Sequence, residues 1–473
     1  MTDNVRKTGP RPGTKIDQTR RDKHPVPIVS ARTPQGHIVE LVWSPDKECA
    51  RFAVWDGHKA RVMTTYSPHD GVRYVPSRSA DILVRQGVVR FADEPAEYGT
   101  AGDLLGSIRA YLDRYVDLSP GFARVAALYV LLTWVHDAFN ELPYLRRRGD
   151  FGTGKTRFLI VLGAICYKPI FAGGASTVSP IFHLLDKVGG TLLIDEADFR
   201  FSDENAQIAK ILNNGNMKGF SVLRSESPNG RDFRPRAFKI FGPKIVAMRG
   251  RYQDAALESR FVTETSASTP LRQDIPINLP DTLEREALGL RNRLLLYRFH
   301  TLAHVRPAED AALDRFEPRL RQILMPLMSL AQDEADREAI LHYAEEIEGN
   351  LRETRGQSLE ADILTALKTA MAENEGAGVS VLTIARLHGK GFGEAGKAMS
   401  AKAMGHILRT RLNLKTRKSH GVFIVPVGEI DALTHLYARY GVTDEDVDRL
   451  RDAAGLTSRV EAIDRPDKGG QAL

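Results

Sequence analysis

Only two cysteines occur in 473 residues, Cys49 and Cys166, far apart in the chain. That excludes a disulfide framework and a CxxC zinc site, and a reducing cytosol is the expected compartment. Long apolar runs are also lacking. The longest uncharged one, Val125–Val135, has eleven residues, against the roughly 20 that a membrane span needs. It is expected to be a buried helix, and no membrane partner is expected. The opening MTDNVRKTGPRPG holds no apolar stretch of the signal-peptide kind. No repeat of solenoid period is visible. What remains is ordinary globular composition, 42% apolar and 27% charged, which rules out collagen-like, mucin-like and wholly disordered chains. The length suggests two to four domains. The net charge of +6 leans towards an anionic partner.

The texture changes along the chain. Residues 1–25 carry seven Lys/Arg, three Asp and three Pro with almost no large apolar residue, which predicts a disordered basic tail. Residues 26–97 contain short runs rich in Val, Tyr, Trp and Phe (HIVELVW, RFAVWDG, RVMTTY, VRYVP, VVRF). Asp56-Gly57 and Asp70-Gly71 stand between some of them as turn signals, so a small, mostly antiparallel β domain is expected. From 98 to 270 helical and strand patterns alternate, the mark of a parallel α/β sheet. Leu104, Leu105, Ile108, Tyr111, Leu112 and Tyr115 share one face of the first helix. Residues 271–355 read as a charged helical segment, 356–445 as a separate small domain, and 446–473 as a polar tail.

The strongest motif is GDFGTGKT, Gly149–Thr156, which satisfies G-x-x-x-x-G-K-[ST] in full. Gly149, Gly152, Thr153 and Gly154 would turn backbone N–H groups around phosphates at the start of the helix TRFLIVLGAICY. Lys155 would reach the β and γ phosphates of ATP, and the Thr156 hydroxyl would ligate Mg²⁺. Two features are unusual. LPYLRRR places Arg146, Arg147 and Arg148 in the preceding strand, where parallel sheets are normally apolar. Asp150 puts a carboxylate within the phosphate loop itself.

Forty residues after Lys155, the strand-like TLLIDEAD ends in Asp195-Glu196. Alone such a pattern is weak. At this distance it fits a site in which Asp195 holds the metal and Glu196 deprotonates the attacking water. The letters DEAD do not make a DEAD-box helicase, because the Ser-Ala-Thr motif and the second lobe of that family are missing.

KIVAMRGRYQDAALESRFVTE, Lys244–Glu264, adds a strand, a polar turn, a short helix ending in an arginine, and another strand. Over residues 100–330 the chain resembles the AAA+ P-loop ATPases, and ALESRF is similar to the L-x-S-R-F pattern of MCM-type helicases. The resemblance implies that Arg260 is an arginine finger acting in a neighbouring subunit's ATP site. It departs from the family at Arg249, where Asn or Thr is usual. It also implies that the basic stretch Lys218–Lys239, folded about Asn229-Gly230, is the pore hairpin of MCM-like and superfamily III helicases, gripping DNA through Arg231, Arg234 and Arg236. FEPRLRQILMPL resembles the AAA+ lid, which makes Arg319 a γ-phosphate ligand.

SLEADILTALKTAM, SVLTIARLH and SAKAMGHILRTRL read as three short helices, and NLKTRKSHGVFIVP as a β hairpin. Together they predict a winged-helix domain. Lys397–Val427 carries seven basic residues and no acidic one. Ser400, Lys402, His406 and Arg409 on the third helix, with Arg417 and Lys418 on the wing, are the expected duplex DNA contacts. The resemblance implies an ATP- and Mg²⁺-dependent DNA helicase or translocase of a mobile element, acting as a ring, as a hexamer in the closest families. The alternatives are an ATP-switched initiator or loader, and a defence-system ATPase that docks a protein.

Overall fold

A computed structural model of the chain describes residues 24–69, 72–173, 177–195, 197, 203–226, 234–252, 254–266, 272–374, 378–391 and 399–442. Glu196, Arg231, the turn Asp70-Gly71 and both tails lie outside the described residues. The architecture is mixed α/β. The chain divides into two units, Met1–Tyr252 with Arg260–His342, and Gln253–Ser259 with Tyr343–Leu473.

The first unit opens with seven strands: β1 (His24–Ile28), β2 (Ser30–Arg32), β3 (Ile38–Ser44), β4 (Cys49–Trp55), β5 (Ala60–Met63), β6 (Tyr66–His69) and β7 (Val72–Pro76). They are followed by α1 (Arg78–Arg85). Strands β2 to β5 form an antiparallel meander, while β1 runs parallel to β7 and β6 antiparallel to it. At the β4–β5 turn the Asp56 carboxylate accepts from the N–H groups of His58 and Lys59, and Gly57 takes φ 97°. This is the side-chain turn that Asp-Gly signals. Strand β3 is buried at six of its seven positions, so both its faces are covered. The reason is visible at Glu40, which accepts from Lys168 Nζ at 2.8 Å, Arg298 Nε at 2.8 Å and the Tyr167 hydroxyl at 2.9 Å. Burial opposes the Glu40 charge, but Lys168 and Arg298 outweigh it and hold the carboxyl below its usual range. The strand-rich segment thus joins the following α/β core through a buried ion cluster. Removing one partner of such a cluster leaves an uncompensated charge.

The core begins with α2 (Ala101–Tyr115) and α3 (Pro120–Val135). Thr100 and Asp103 close a reciprocal capping box on α2, and Ser119 with Pro120 starts α3. The six residues assigned to one face of α2 are all buried, and α3 is buried all around from Val125 to Val135. Then come β8 (Tyr144–Arg148), α4 (Lys155–Gly163), β9 (Ile170–Ala172), α5 (Val178–Val188), β10 (Leu192–Ile194) and α6 (Asp203–Asn214). A hairpin of β11 (Ser221–Glu226) and β12 (Arg234–Lys239) follows, then β13 (Lys244–Met248) and β14 (Phe261–Thr265), with α7 (Ala255–Glu258), which belongs to the second unit, between them in the chain. Five strands pair in parallel in the order β14-β8-β13-β10-β9. Strand β13 therefore lies between the phosphate-loop strand and the acid strand. The charged helical stretch is α8 (Thr282–Thr301), α9 (Pro318–Met328) and α10 (Glu334–Gly356).

The second unit contains α11 (Leu359–Glu373), β15 (Val379–Ser380), α12 (Val381–Gly391), α13 (Ala401–Thr410), β16 (Arg417–Ser419), β17 (Val422–Val425) and α14 (Ile430–Tyr440). Strands pair in the order β15-β17-β16, all antiparallel. Its own core gathers Leu364, Leu367, Ile384, Leu408, Val425 and Leu433. Helix α14 was not among the expected elements. Among the described residues no helix is long and apolar enough to cross a membrane.

Candidate functional site

The loop after β8 makes two left-handed turns, at Gly152 (φ 73°) and Gly154 (φ 76°), conformations that glycine adopts without a steric penalty. Gly154 is the N-cap of α4, so the loop delivers the backbone to the positive end of that helix. The Asp150 carbonyl accepts from the Thr153 hydroxyl at 2.8 Å and from Lys155 Nζ at 2.5 Å. The Asp150 carboxylate turns back on the loop's own Phe151 N–H, at 2.7 Å. Its charge is directed at the backbone donor next to it.

Asp195 stands just past β10, and its Oδ2 accepts from the Thr156 hydroxyl at 2.7 Å. The structure therefore brings together two predicted site residues 39 positions apart. A hydroxyl and a carboxylate side by side are hard oxygen donors, the chemistry that Mg²⁺ takes. Arg249 follows β13, and its guanidinium lies 3.3 Å from the centre of the Phe151 ring. The residue at the sensor position is thus stacked on the tip of the phosphate loop, while Phe151 itself is 73% exposed.

The three arginines of β8 have partners that no local pattern announced. Arg146 Nε donates to Thr263 Oγ1 at 3.0 Å and lies over the Phe261 ring at 4.8 Å. Arg147 Nε donates to Ser266 Oγ at 3.0 Å and its Nη1 to the Asp117 carbonyl at 2.8 Å. Arg148 donates to Thr265 Oγ1 at 3.0 Å. Strand β14, in register beside β8, supplies Thr263 and Thr265, and Ser266 follows it. Burial lowers the Arg147 pKa.

Beside the loop lies a cavity of about 430 Å³, lined in part by Val116, Asp117, Arg147, Thr153, Gly154 and Ile275. That size suits a nucleoside-sized group. Its far wall is the segment 272–277. Arg157, on the first turn of α4, holds that wall by donating to the carbonyls of Pro276, at 2.6 Å, and Ile277. Arg272 ties the wall to Asp113 at 2.5 Å. Neither Arg157 nor the wall was singled out in the sequence, because nothing local joins residue 157 to residue 277.

Arg260 and Arg319 are not brought to the phosphate loop of their own chain. Arg260 precedes β14, its carbonyl accepts from Tyr144 N at the start of β8, and its Nη1 donates to Asn213 Oδ1 at 2.8 Å. Both arginines act on Glu141. Burial pushes that carboxyl above its usual range, and the charges of Arg319 and Arg260 pull it back. This is the opposite end of the strands, separated from the loop by the length of β8, about 13 Å at ~3.3 Å per residue. Arg319, expected as a γ-phosphate ligand, stands near Glu141 and not at the loop of its own chain.

In the hairpin, Arg224 pairs with Arg236 and Val222 with Phe238, so these four share a face. That face is turned towards α5. Arg236 donates to Asp186 Oδ2 at 3.2 Å and lies over Phe238 at 4.7 Å, and Phe238 is buried beside Phe182. Arg234 is exposed and sits opposite Glu226. The outer face carries Leu223, 73% exposed. Of the three arginines expected to act together, Arg234 and Arg236 share this face and both are exposed, Arg236 also pairing with Asp186, while Arg231 lies outside the described residues. At the foot of the hairpin the fully buried Lys244 ammonium donates to the carbonyls of Gly215, Ile240 and Gly242, each at 3.0 Å. It pins the end of α6 and the end of the hairpin to β13.

In the second unit Lys402, His406 and Arg409 form one exposed stripe on α13. Ser400 does not join it, because its hydroxyl caps α13 by accepting from Ala403 N at 3.2 Å. On the wing, Lys418 pairs with Phe423 and Arg417 with Ile424. Lys418 and Arg417 thus point to opposite faces of the hairpin. Arg409 donates to Thr416 Oγ1 at 3.2 Å and lies 5.9 Å from the Phe423 ring centre. The stripe is therefore continuous with the Lys418 face.

No family model and no curated protein matches the chain. Among solved structures it is similar to the apo NrS-1 C terminal region, with TM-score 0.37 and 10% identity over 82% of this chain and 97% of that one. It is also similar to JCV helicase, with TM-score 0.23 and 13% identity over 53% of this chain and 61% of that one.

Proposed function

We propose that the chain is an ATP-driven DNA helicase or translocase with an AAA+ core and a C-terminal winged helix, working as a ring oligomer, a hexamer in the simplest form, in the replication of a mobile element. The observation that carries the reading is the meeting of Thr156 and Asp195 beside the glycine turns of the phosphate loop. Gly149, Gly152, Thr153, Gly154 and Lys155 bind the phosphates, and the cavity along segment 272–277 takes the base. Thr156 and Asp195 hold Mg²⁺, which when bound neutralises the charge on the transferring phosphoryl group. Glu196 takes the proton of the attacking water.

Arg260 and Arg319 lie at the end of the strands away from their own loop, which supports a role for both in a neighbour's site and so an oligomer. The basic stripe of α13 and the wing bind DNA. The decisive experiment measures ATP turnover with and without single-stranded and forked DNA, alongside the particle mass in ATP. A nucleotide-dependent ring whose turnover DNA stimulates is expected. A monomer indifferent to DNA would overturn the reading.

One observation favours a second reading, an ATP-switched initiator or loader. Arg236, on the hairpin, is paired with Asp186, and a loader has no need of a basic loop lining a pore.

A further inference from the structure

Strand β17 passes from bare to buried within four residues. Phe423 is 53% exposed and Val422 47%, whereas Ile424 is 9% and Val425 0% exposed. The core of the second unit needs only the latter pair. Fully burying a phenylalanine side chain is worth about 1.5–3 kcal/mol relative to leaving it in water, so the fold forgoes much of that stabilisation at Phe423. Cationic residues stand close to the ring. Lys418 is opposite it in the hairpin register, Arg409 approaches it at 5.9 Å, and His406 and Lys402 continue along the same stripe of α13. From Lys397 to Val427 there are seven basic residues and no acidic one.

This combination discriminates between ligands. Protein interfaces deplete charge at their centre, whereas here the aromatic is ringed by cations, which fits a polyanion. Within nucleic acids, a continuous duplex offers groove edges and phosphates and keeps its base faces stacked inside. Lysine and arginine suffice for such contacts, and an exposed ring adds nothing to them. An unpaired base offers a free π-face, and stacking it on an aromatic side chain is worth about 1–3 kcal/mol whatever the base. We propose that the wing of the second unit is a binding site for unpaired nucleotides at a single-strand/duplex junction, with Phe423 stacking on a base while Lys418, Arg409, His406 and Lys402 hold the flanking phosphates. The proposal rests on reading this unit as a nucleic-acid binder and adds which form of nucleic acid it takes.

The test uses the full chain without nucleotide and fluorescence anisotropy on three labelled probes: a single strand, a forked duplex and a blunt duplex. Phe423→Ala is expected to weaken single-strand and fork binding roughly 5- to 150-fold, the fold-change that corresponds to stacking one base. Blunt duplex binding should change less than about twofold and the salt dependence not at all, because no charge is lost. Phe423→Trp should retain wild-type affinity. Lys418→Ala should weaken all three probes and make the salt slope shallower by about 0.7–0.9. Equal losses on fork and blunt duplex, or an indifferent Phe423→Ala with normal wild-type binding, would refute the stacking site alone. A wild-type chain that binds none of the probes would remove the nucleic-acid reading with it. A circular-dichroism melt guards against misfolding, and an exposed position is expected to leave it unmoved.

Discussion

The Thr156 hydroxyl donates to the Asp195 carboxylate across 2.7 Å, joining the first turn of α4 to the end of β10. Two side chains from separate motifs already share the place where a hard cation would sit. Asp195→Asn is expected to weaken nucleotide binding at least tenfold in Mg²⁺ and to leave the weaker Mg²⁺-free binding unchanged. Lys155→Ala should abolish both, because it removes the loop's ammonium. Titration of a fluorescent ATP analogue at several Mg²⁺ concentrations checks this. An Asp195→Asn variant with wild-type Mg²⁺ dependence would remove Asp195 from the metal site. Glu196→Gln should bind ATP and not hydrolyse it.

Arg260 sits about 13 Å or more from its own phosphate loop along β8. Arg260→Ala should therefore bind ATP normally and lose turnover by a factor of about 10³ or more, the effect of removing an arginine finger. Mixing it with Lys155→Ala should restore part of the activity, since each variant supplies the part the other lacks at a shared interface. Activity that stays at background in every mixing ratio would count against sites shared between subunits.

The hairpin arginines should behave differently from one another. Arg236 is bonded to Asp186 and both groups are partly exposed, so Arg236→Ala should cost about 1 kcal/mol or less of stability. It should not change DNA-stimulated ATP turnover. Arg234→Ala should leave the melting temperature unmoved and reduce that stimulation. The reverse pattern would assign the DNA contact to Arg236 instead of Arg234.

Lys244 offers a pH test. Burial pushes its ammonium down to about 7, from an ordinary value of 10.5. Between those two values the unfolded chain binds a proton that the folded chain does not, so wild-type stability should rise with pH across that window and be lowest below pH 7. Lys244→Met should lack this contribution. It also leaves three buried carbonyls without their donor, and the expected cost is about 3 kcal/mol or more. Urea unfolding at pH 6, 7.5 and 9 compares the two. Parallel pH profiles would show that Lys244 does not change protonation on folding.

Much of the architecture was legible because it is written in short-range periods. The glycines of the phosphate loop, the six-residue face of α2, the unbroken burial of α3 and the helix order of the second unit all follow from spacing within a few turns. Helix α14 was legible too: Ile430, Leu433 and Tyr437 recur at helical spacing and are buried.

The sequence by itself determined where the phosphate loop, the acid strand and the hairpin lie, since each depends on neighbours within about ten residues. Tertiary structure alone decided which partners the charged groups took. Three arginines in a buried strand made no sense until β14 laid Thr263, Thr265 and Ser266 alongside them. Arg236 pairs with Asp186, fifty residues away. Arg319 stands with Arg260 around Glu141. A charged side chain needs a counter-charge or an acceptor wherever the packing leaves it, and strand order, which no local pattern specifies, decides which residues can provide one.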